Sequence, residues 1–373
     1  MSLSASPARY LPPVSKVNTR WHWRPIILSL WAVILLGVFW FGSRYPQLFS
    51  KAAHIGQVLP SMTYGHEWMR VNAGSPVWQR ILSAAISWLD GMKIGMSFGV
   101  LLGALLNTVL LYYPLKITKN LYLNSIKGAL VGVPAGVCAN CSVPIACGIT
   151  RGKGRAEVAL GFLFSSPSFN FVIVAMTFTA LPLRMALAKY AILLFVIVLG
   201  VPVLIRWLER KKSFEVFTSG SEGESCAIAP SRKEAGDERF LSILGELGKV
   251  YGKNVWTLAK LTVVLMLIAS TLSAIVLVLV PWNSLLASKN PLGMALVSLL
   301  SVFMPVPIGL EVMFASQLQH QGIASGYVML LLMTLGTYSI TPMIYLWREV
   351  SRTLAISLFG FFVAIGWVLG MLF

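Results

Sequence analysis

The chain has 373 residues, of which 57% are hydrophobic and only 12% are charged. Soluble domains carry about 25% charged residues, so the composition excludes that class and predicts an all-α integral membrane protein. The net charge of +17 does not predict nucleic-acid binding, because the basic residues flank apolar segments, where they set membrane topology.

Alternating polar and apolar segments divide the chain into five parts. They are a cytoplasmic N-terminal tail at 1–25, an anchor helix and outer segment at 26–93, a first transmembrane repeat at 94–205, a cytoplasmic linker at 206–254 and a second transmembrane repeat at 255–373. The linker is predicted because its Lys, Ser, Gly and Glu content cannot bury a core. Residues 78–88 of the outer segment are predicted to lie along the membrane surface.

The first repeat begins with an apolar span at 94–115. Gly95, Gly99 and Gly103 fall four residues apart on one face of this helix. Small residues at that spacing allow another helix to approach closely, so we assign them a structural role.

A broken stretch follows at 128–150, where no residue is charged. Pro134 and Pro144 each remove a helical hydrogen bond there. Broken backbone at membrane depth is tolerated only inside protein or against a water-filled cavity. The stretch therefore predicts a substrate site, and the alternative is a kinked helix that only packs.

Charge asymmetry predicts that two broken segments, about 123–150 and 291–320, are re-entrant hairpins. If both were full spans, the basic residues at 151–155 and 206–212 would lie opposite the basic amino end. If both segments are re-entrant, 22 of the 30 Lys and Arg residues lie on the cytoplasmic side, as the positive-inside rule requires. The predicted topology has about seven full spans and a cytoplasmic amino end.

The two halves then match in the order of their elements, with opposite orientation. Each has a span, a hairpin containing Val-Pro-Ile (143–145 and 306–308), a span with a central proline (Pro167 and Pro342), and a closing span. Inverted repeats with paired broken segments are typical of secondary transporters, whose site lies near the membrane midplane.

Three cysteines fall in the apolar centre of the chain, and Cys226 lies in the linker. This distribution does not indicate a disulfide framework. Cys138, Cys141 and Cys147 are candidate ligands for a soft ion or a thiophilic solute, although a closed zinc site would need a fourth ligand. The alternative is that they pack as small hydrophobic residues.

Polar side chains around the prolines are candidate substrate contacts. In the first half they are Asn140, Ser142 and Pro144 beside the cysteines, and Ser165, Ser166, Pro167 and Asn170 in the next span. Their counterparts in the second half are Tyr338 and Thr341. The alternative is that these side chains only bind helices together.

Glu311 is the only acidic residue between Glu246 and Glu349. A carboxyl inside the membrane is costly to charge, so it is a functional candidate and fits a proton carrier. If the second hairpin is shallow, Glu311 is merely solvated.

No pair of carboxylates, His cluster or Ser/His/Asp set falls within one layer of the predicted topology, so we predict no enzyme activity and no cofactor. The expected partners are a small-molecule or ion substrate and the lipid bilayer.

Two motifs resemble a known family. They are Cys141-Ser-Val-Pro144 and the stretch Phe-Leu-Phe-Ser-Ser-Pro-Ser-Phe-Asn that ends at Asn170, with weaker matches at 305–311 and 335–347. Over 95–205 and 260–373 the chain is similar to the bacterial predicted-permease family of YraQ-like proteins, which includes organoarsenical efflux permeases. The resemblance implies a multi-span permease of the bacterial cytoplasmic membrane that exports a small solute along a path formed by these motifs.

Together, residues and resemblance predict a proton-coupled exporter of a small solute, with thiophilic and organometalloid solutes as the candidates. One alternative is a thiol-based metal-handling or membrane assembly protein without transport activity. Another is a passive channel, which would tolerate the loss of Glu311.

Overall fold

The computed structural model describes residues 23–53, 71, 74–113, 118–151, 155–210, 240–287 and 289–373. These residues form helices and connections, and no strand occurs among them. Most of the predicted tail at 1–25 and much of the linker at 206–254, including Cys226, lie outside the described residues.

The described helices fall into two groups, one up to residue 210 and one from residue 240. Those up to residue 210 are α1 (Trp23–Phe39), α2 (Tyr45–Ala53), α3 (Val77–Tyr112), α4 (Leu121–Ala135), α5 (Ala139–Arg151), α6 (Ala156–Ser168), α7 (Phe171–Ala180), α8 (Leu183–Phe195) and α9 (Val201–Arg210). Those from residue 240 are α10 (Phe240–Leu279), α11 (Trp282–Ala287), α12 (Pro291–Phe303), α13 (Leu310–His320), α14 (Ser325–Thr334), α15 (Ile340–Glu349) and α16 (Arg352–Leu372). Two π-helical turns, Trp40–Arg44 and Val196–Gly200, join α1 to α2 and α8 to α9.

Five helical segments of the described chain are long and apolar enough to cross a membrane. They are Trp23–Gln47, Val77–Tyr112, Leu183–Arg210, Phe240–Leu279 and Arg352–Leu372, with a sixth if α6 and α7, which meet at a 47° bend, form one span. The prediction of an all-α membrane protein is confirmed. The predicted span at 323–347 is instead divided by a non-helical turn at 335–339 into the short helices α14 and α15.

Helix α3 begins earlier than predicted. Residues 78–88, expected along the membrane surface, form its first turns, so that expectation was wrong. The reason is tertiary packing: Trp88 is buried, and its Nε1 donates to the carbonyl oxygen of Pro305 at 2.8 Å. Trp88 therefore faces protein, whereas Trp78 at the start of the helix is exposed.

Contacts between α4 and α6 show that the first broken segment turns back. Near their starts, Asn124 Nδ2 donates to Glu157 Oε1 at 3.0 Å, and further along Ser165 Oγ donates to the carbonyl of Ala129 at 2.9 Å. The two helices therefore run in parallel from the same level. Helix α5, which connects them, must return to that level, so α4 and α5 form a helical hairpin, called here the first hairpin.

The second broken segment has the same arrangement. A Cβ atom on Gly293 would lie 3.0 Å from the Tyr327 hydroxyl, and further along Ser301 Oγ lies 2.7 Å from Thr334 Oγ1. Helices α12 and α14 thus also run in parallel from one level. Helix α13, which connects α12 to α14 along the chain, returns to that level. Helices α12 and α13 are called here the second hairpin.

The predicted close approach at the α3 glycines is confirmed. A Cβ atom on Gly99 would collide with the carbonyl oxygen of Cys141, and one on Gly103 would collide with that of Pro144. The backbones of α3 and α5 are therefore in direct contact, which larger residues would prevent. One hydrophobic core continues from here into the second half, where Phe164 packs against Tyr338 and Phe362.

Candidate functional site

A cavity of about 790 Å³ lies where the tips of the two hairpins meet, and we call it the tip cavity. The first hairpin contributes Cys138 and Cys141, and the second contributes Met304, Val306, Pro307, Ile308, Leu310, Glu311, Met313, Phe314 and Gln317. The rest of the wall consists of Arg44, Pro46, Gln47, Ser50, Gly91, Met92, Gly95, Leu277, Trp282, Leu286, Leu331 and Leu335. This volume is that of small-molecule sites, which measure about 300–1,000 Å³.

The cavity runs from an exposed rim to a buried end. Gln47 and Gly91 at the rim are exposed, whereas Cys141 and Glu311 are buried. Most of the wall is apolar, and in small-molecule sites of this kind a few polar groups fix the orientation of a ligand.

Each hairpin tip is formed by a glycine in the left-handed backbone region. Gly136 follows α4 with φ 56°, and Gly309 precedes α13 with φ 79°, conformations that other residues adopt only with strain. Carbonyl groups freed at these breaks are bound by indoles. Trp40 Nε1 donates to Pro134 at 3.0 Å, as Trp88 does to Pro305. The sequence therefore builds open helix ends at depth and satisfies them from neighbouring helices.

Glu311 is paired with a lysine inside the protein. It is 3% exposed, and its Oε1 lies 3.7 Å from Nζ of Lys189 on α8, which is also fully buried. Among the described residues, neither Glu311 Oε2 nor Lys189 Nζ has a hydrogen-bond partner. The alternative that Glu311 is merely solvated does not fit this burial. The pair compensates its own charge but leaves hydrogen-bonding capacity for a proton, water or solute.

A glycine makes room for this carboxyl group. Gly336 has φ 77°, and a Cβ atom on it would lie 3.1 Å from Glu311 Oε2. A side chain at this position would crowd Glu311 and strain the backbone.

The cysteines are arranged differently from the expectation of three thiols. Cys138 and Cys141 are joined in a disulfide in the cavity wall, whereas Cys147 is a free, buried thiol further along α5 and away from the wall. Within the described ranges, no three His, Cys, Asp or Glu side chains are grouped as metal ligands. Soft ions bind thiolates, so Cys138 and Cys141 must be reduced before they bind a thiophilic solute.

Several polar residues predicted to contact substrate instead bind backbone atoms behind the tips. Ser142 Oγ donates to the carbonyl of Ala139 at 2.7 Å, and Ser165 Oγ donates to that of Ala129. Ser166 Oγ accepts from Val137 N at 3.1 Å, and the Tyr338 hydroxyl donates to the Ala355 carbonyl at 3.1 Å. With Pro144 and Pro167, these residues are buried but outside the wall of the tip cavity. The contacts of Ser165, Ser166 and Tyr338 reach other segments and favour the alternative that these residues bind helices together, whereas the Ser142 contact lies within α5.

Three other predicted residues keep a buried polar atom without a hydrogen-bond partner in the described chain. They are Asn140 Nδ2, Asn170 Nδ2 and Thr341 Oγ1. Each residue lies at or beside a helix break, and Asn140 Oδ1 accepts from Ser339 Oγ of the second half at 2.6 Å. These atoms remain candidates for solute contact once the helices around them move.

Lys189 and Arg44 were missed from the sequence. Neither residue was among the candidates that the sequence singled out. One signal was available: Lys189 is the one charged residue among apolar side chains from Ala186 to Ile205, and an intramembrane charge requires a partner. The burial of Arg44 depends on α3, so local sequence carries no sign of it.

Comparison with known proteins identifies a family. The model of the family described as "Predicted permease" (ArsP_1) matches residues 92–373, which are 282 of the 373 residues. Among curated proteins and among solved structures, nothing matches this chain.

Proposed function

The chain belongs to the predicted permease family, and from that premise we propose that it moves a small solute through the tip cavity in exchange for protons. A permease needs a site that the two sides of the membrane reach in turn. The observation that carries the proposal is the position of Glu311, buried in the wall of a cavity formed by both hairpin tips.

The unequal packing of the two hairpins supports an alternating path. In the first half α5 lies against α3 with backbone contact, whereas in the second half the tip cavity lies between α13 and the end of α10. If the halves exchange these arrangements, the α10–α13 space closes and the α3–α5 contact opens. A solute at the tips would then face the other side.

Proton coupling is proposed to act through the Glu311–Lys189 pair. With Glu311 ionised, the pair is neutral and compact at 3.7 Å. Protonation of Glu311 would leave Lys189 without its counter-charge, so α8 and α13 lose the attraction that holds them in this arrangement. A proton that enters through the cavity would thereby change the relative stability of the two arrangements.

Orientation follows from the basic residues. With the amino end cytoplasmic, the exposed rim of the tip cavity faces outward, so this arrangement is the one that releases an exported solute. We expect single cysteines introduced at positions 153 and 221 to react with impermeant thiol reagents from the cytoplasmic side, and one at position 283 from outside. Labelling of position 153 from outside would contradict this topology.

The test of the proposed function uses proteoliposomes that contain a pH-sensitive dye. Phenylarsine oxide, phenylphosphonate and benzamide are added as thiophilic, anionic and neutral probes. At least one probe should produce proton movement with wild-type protein, and Glu311→Gln should still bind that probe but move no protons. Glu209→Gln, which removes an exposed carboxyl paired with Arg155, is the matched control and should behave as wild type.

The same assay separates the alternatives. A metal-handling or assembly protein should keep its activity when Ser166, Asn170 or Glu311 is replaced. A passive channel should conduct the probe without proton movement and tolerate Glu311→Gln. Either result would exclude the proposed exchange.

A further inference from the structure

Arg44 is a buried arginine without a carboxylate partner. It ends the π-helical turn Trp40–Arg44 and is 5% exposed. Its guanidinium carbon lies 4.7 Å from the centre of the Phe39 ring, and Nε has no hydrogen-bond partner. Throughout the described ranges, no carboxylate oxygen lies within 4 Å of its nitrogens. A charge held inside protein in this way is unfavourable unless a counter-charge visits it.

Lipid does not account for this side chain. An arginine at the end of a membrane helix usually extends its head group toward lipid phosphates and water. Arg44 is covered by protein, since the neighbouring Phe39 ring is itself stacked on Phe98 at 3.6 Å. Arg44 instead lines the tip cavity.

Space for a ligand group exists between Arg44 and the first hairpin. A Cβ atom on Gly95 would lie 3.6 Å from Arg44 Nη2 and 2.8 Å from Cys141 Sγ. The Arg44 guanidinium and the first turn of α5 therefore line the same part of the tip cavity. That space is free because Gly95 has no side chain.

The start of α5 adds positive potential at that place. Only Cys138 and Cys141 represent this segment in the cavity wall, so α5 meets the cavity at its amino end. Amide groups at a helix amino end favour anions, and this first turn has no acidic residue. The Cys141 amide already donates to Cys138 Sγ at 3.1 Å, so the helix end contributes through its dipole and Arg44 is the main anion-binding group. The negative charge of Glu311 in the same wall is already compensated by Lys189. The tip cavity is thus left with one unbalanced positive group.

We propose that Arg44 and the amino end of α5 bind the anionic group of the solute, a carboxylate, phosphonate or comparable oxyanion. This inference rests on the proposed function, because it assigns a substrate class to the same cavity. A guanidinium binds two oxygens of such a group in parallel, and the apolar wall formed by Leu310, Phe314 and Leu335 accommodates an organic remainder.

The experiment measures binding to the purified full-length protein in detergent, where no gradient exists. The probes are phenylphosphonate and its neutral diethyl ester, followed by thermal unfolding across a concentration series. Phenylphosphonate should raise the melting temperature of wild-type protein and the ester should not. Arg44→Gln should raise the Kd for phenylphosphonate about tenfold or more, whereas Arg44→Lys should lose less because it keeps the charge.

Arg80→Gln is the matched control, since it removes a basic residue of α3 that is not in the cavity wall. Its Kd should equal that of wild type. Without ligand, Arg44→Gln should melt no lower than wild type, because it removes an uncompensated charge. If Arg44→Gln cannot be purified, the increase in the Kd for phenylphosphonate from wild type to Arg44→Lys tests the inference in its place.

Four outcomes of the binding experiment overturn the inference. They are equal binding by the ester, the same Kd in wild type and the Arg44 variants, the same loss in Arg80→Gln, and stabilisation only by phosphatidylglycerol in lipid nanodiscs, which would assign the site to a lipid head group. Proton-coupled transport of benzamide without phenylphosphonate binding would refute this inference alone. Failure of the Glu311→Gln test would refute the proposed exchange and leave this binding result standing.

Discussion

The two hairpins follow the same chain path, but their returning helices, α5 and α13, are packed differently. Helix α5 of the first hairpin has nearly all of its residues buried and touches α3 through backbone at Gly99 and Gly103. Helix α13 of the second hairpin presents Leu310, Phe314 and Gln317 to the tip cavity. One element order therefore occurs in a closed and in an open arrangement, and the closed one has small residues at its helix contact.

The two hairpin tips also differ in charge. The tip of the first hairpin is neutral, with its two cysteines joined, and the second carries Glu311. The second hairpin therefore contacts α8 through a buried ion pair, whereas the first contacts α3 through backbone and small residues. Four predictions test this contrast, from the largest expected effect to the smallest.

Lys189→Met should destabilise the protein most, by about 3–5 kcal/mol, because it leaves the buried Glu311 without its counter-charge. Loss of monodisperse protein on heating measures the effect. The double variant Lys189→Met with Glu311→Gln should recover most of the stability, since no uncompensated charge remains. Equal stability of wild type, single and double variants would mean that the pair does not hold the second hairpin.

Gly99→Ala should cost up to about 3 kcal/mol, since its methyl group would collide with the backbone of α5, which cannot move aside as a side chain does. Gly252→Ala is the control in the long helix α10, where nothing lies within 4 Å of an added Cβ atom. It should change stability by less than about 1 kcal/mol. Similar melting of both variants would show that α3 and α5 are not in tight contact.

Sequence patterns located the hairpins but not the charges that act on them. The breaks at 136–138 and 304–309 lie beside Pro134 and at Pro305 and Pro307, whose backbone effects are local and therefore visible in sequence. Pro144 was also expected to break the chain, but it lies inside α5, which continues through it. Lys189 meets Glu311 only through the fold, from a helix in the other half of the chain. No local pattern carries such a long-range contact.

The polar candidates show the same limit. Ser165 and Asn170 are both polar residues beside Pro167, yet Ser165 binds a backbone carbonyl of α4 and Asn170 keeps an unpartnered Nδ2. Their residue types are compatible with both roles. Only the positions of α4 and α6 separate a helix contact from a candidate solute contact.

The third prediction concerns the neutral tip of the first hairpin. After reduction, wild-type protein should bind phenylarsine oxide, because two adjacent thiolates suit a soft arsenic centre. Cys138→Ser and Cys141→Ser should each weaken this binding about tenfold, equivalent to about 1.4 kcal/mol, and Cys226→Ser should not. Thermal shift with and without reductant measures it. The same affinity in all three variants would leave packing as the role of these cysteines.

The smallest effect is expected where the first hairpin ends. Arg151 binds Glu349 of α15 through Nη2 at 2.6 Å and through Nε at 3.0 Å, beside a 3.3 Å contact between the hydroxyls of Thr150 and Tyr345. Because the pair joins α5 to the second half, it should hold the α3–α5 contact closed. The Arg151 side chain is 33% exposed, so solvent screens the pair and its loss should cost only about 1 kcal/mol.

The effect of losing this ion pair can be measured as the alkylation rate of Cys147, which is buried on α5. In protein with Cys147 as its only cysteine, Arg151→Gln should raise the rate of alkylation by N-ethylmaleimide about fivefold, since about 1 kcal/mol shifts a two-state equilibrium by that factor. Glu349→Gln should act alike, and Lys93→Gln, which removes the exposed pair with Asp90, should leave the rate unchanged. If neither Arg151→Gln nor Glu349→Gln changes the rate, the first hairpin does not open at this end. The closed and open halves would then be fixed differences between the hairpins and not two positions of one cycle.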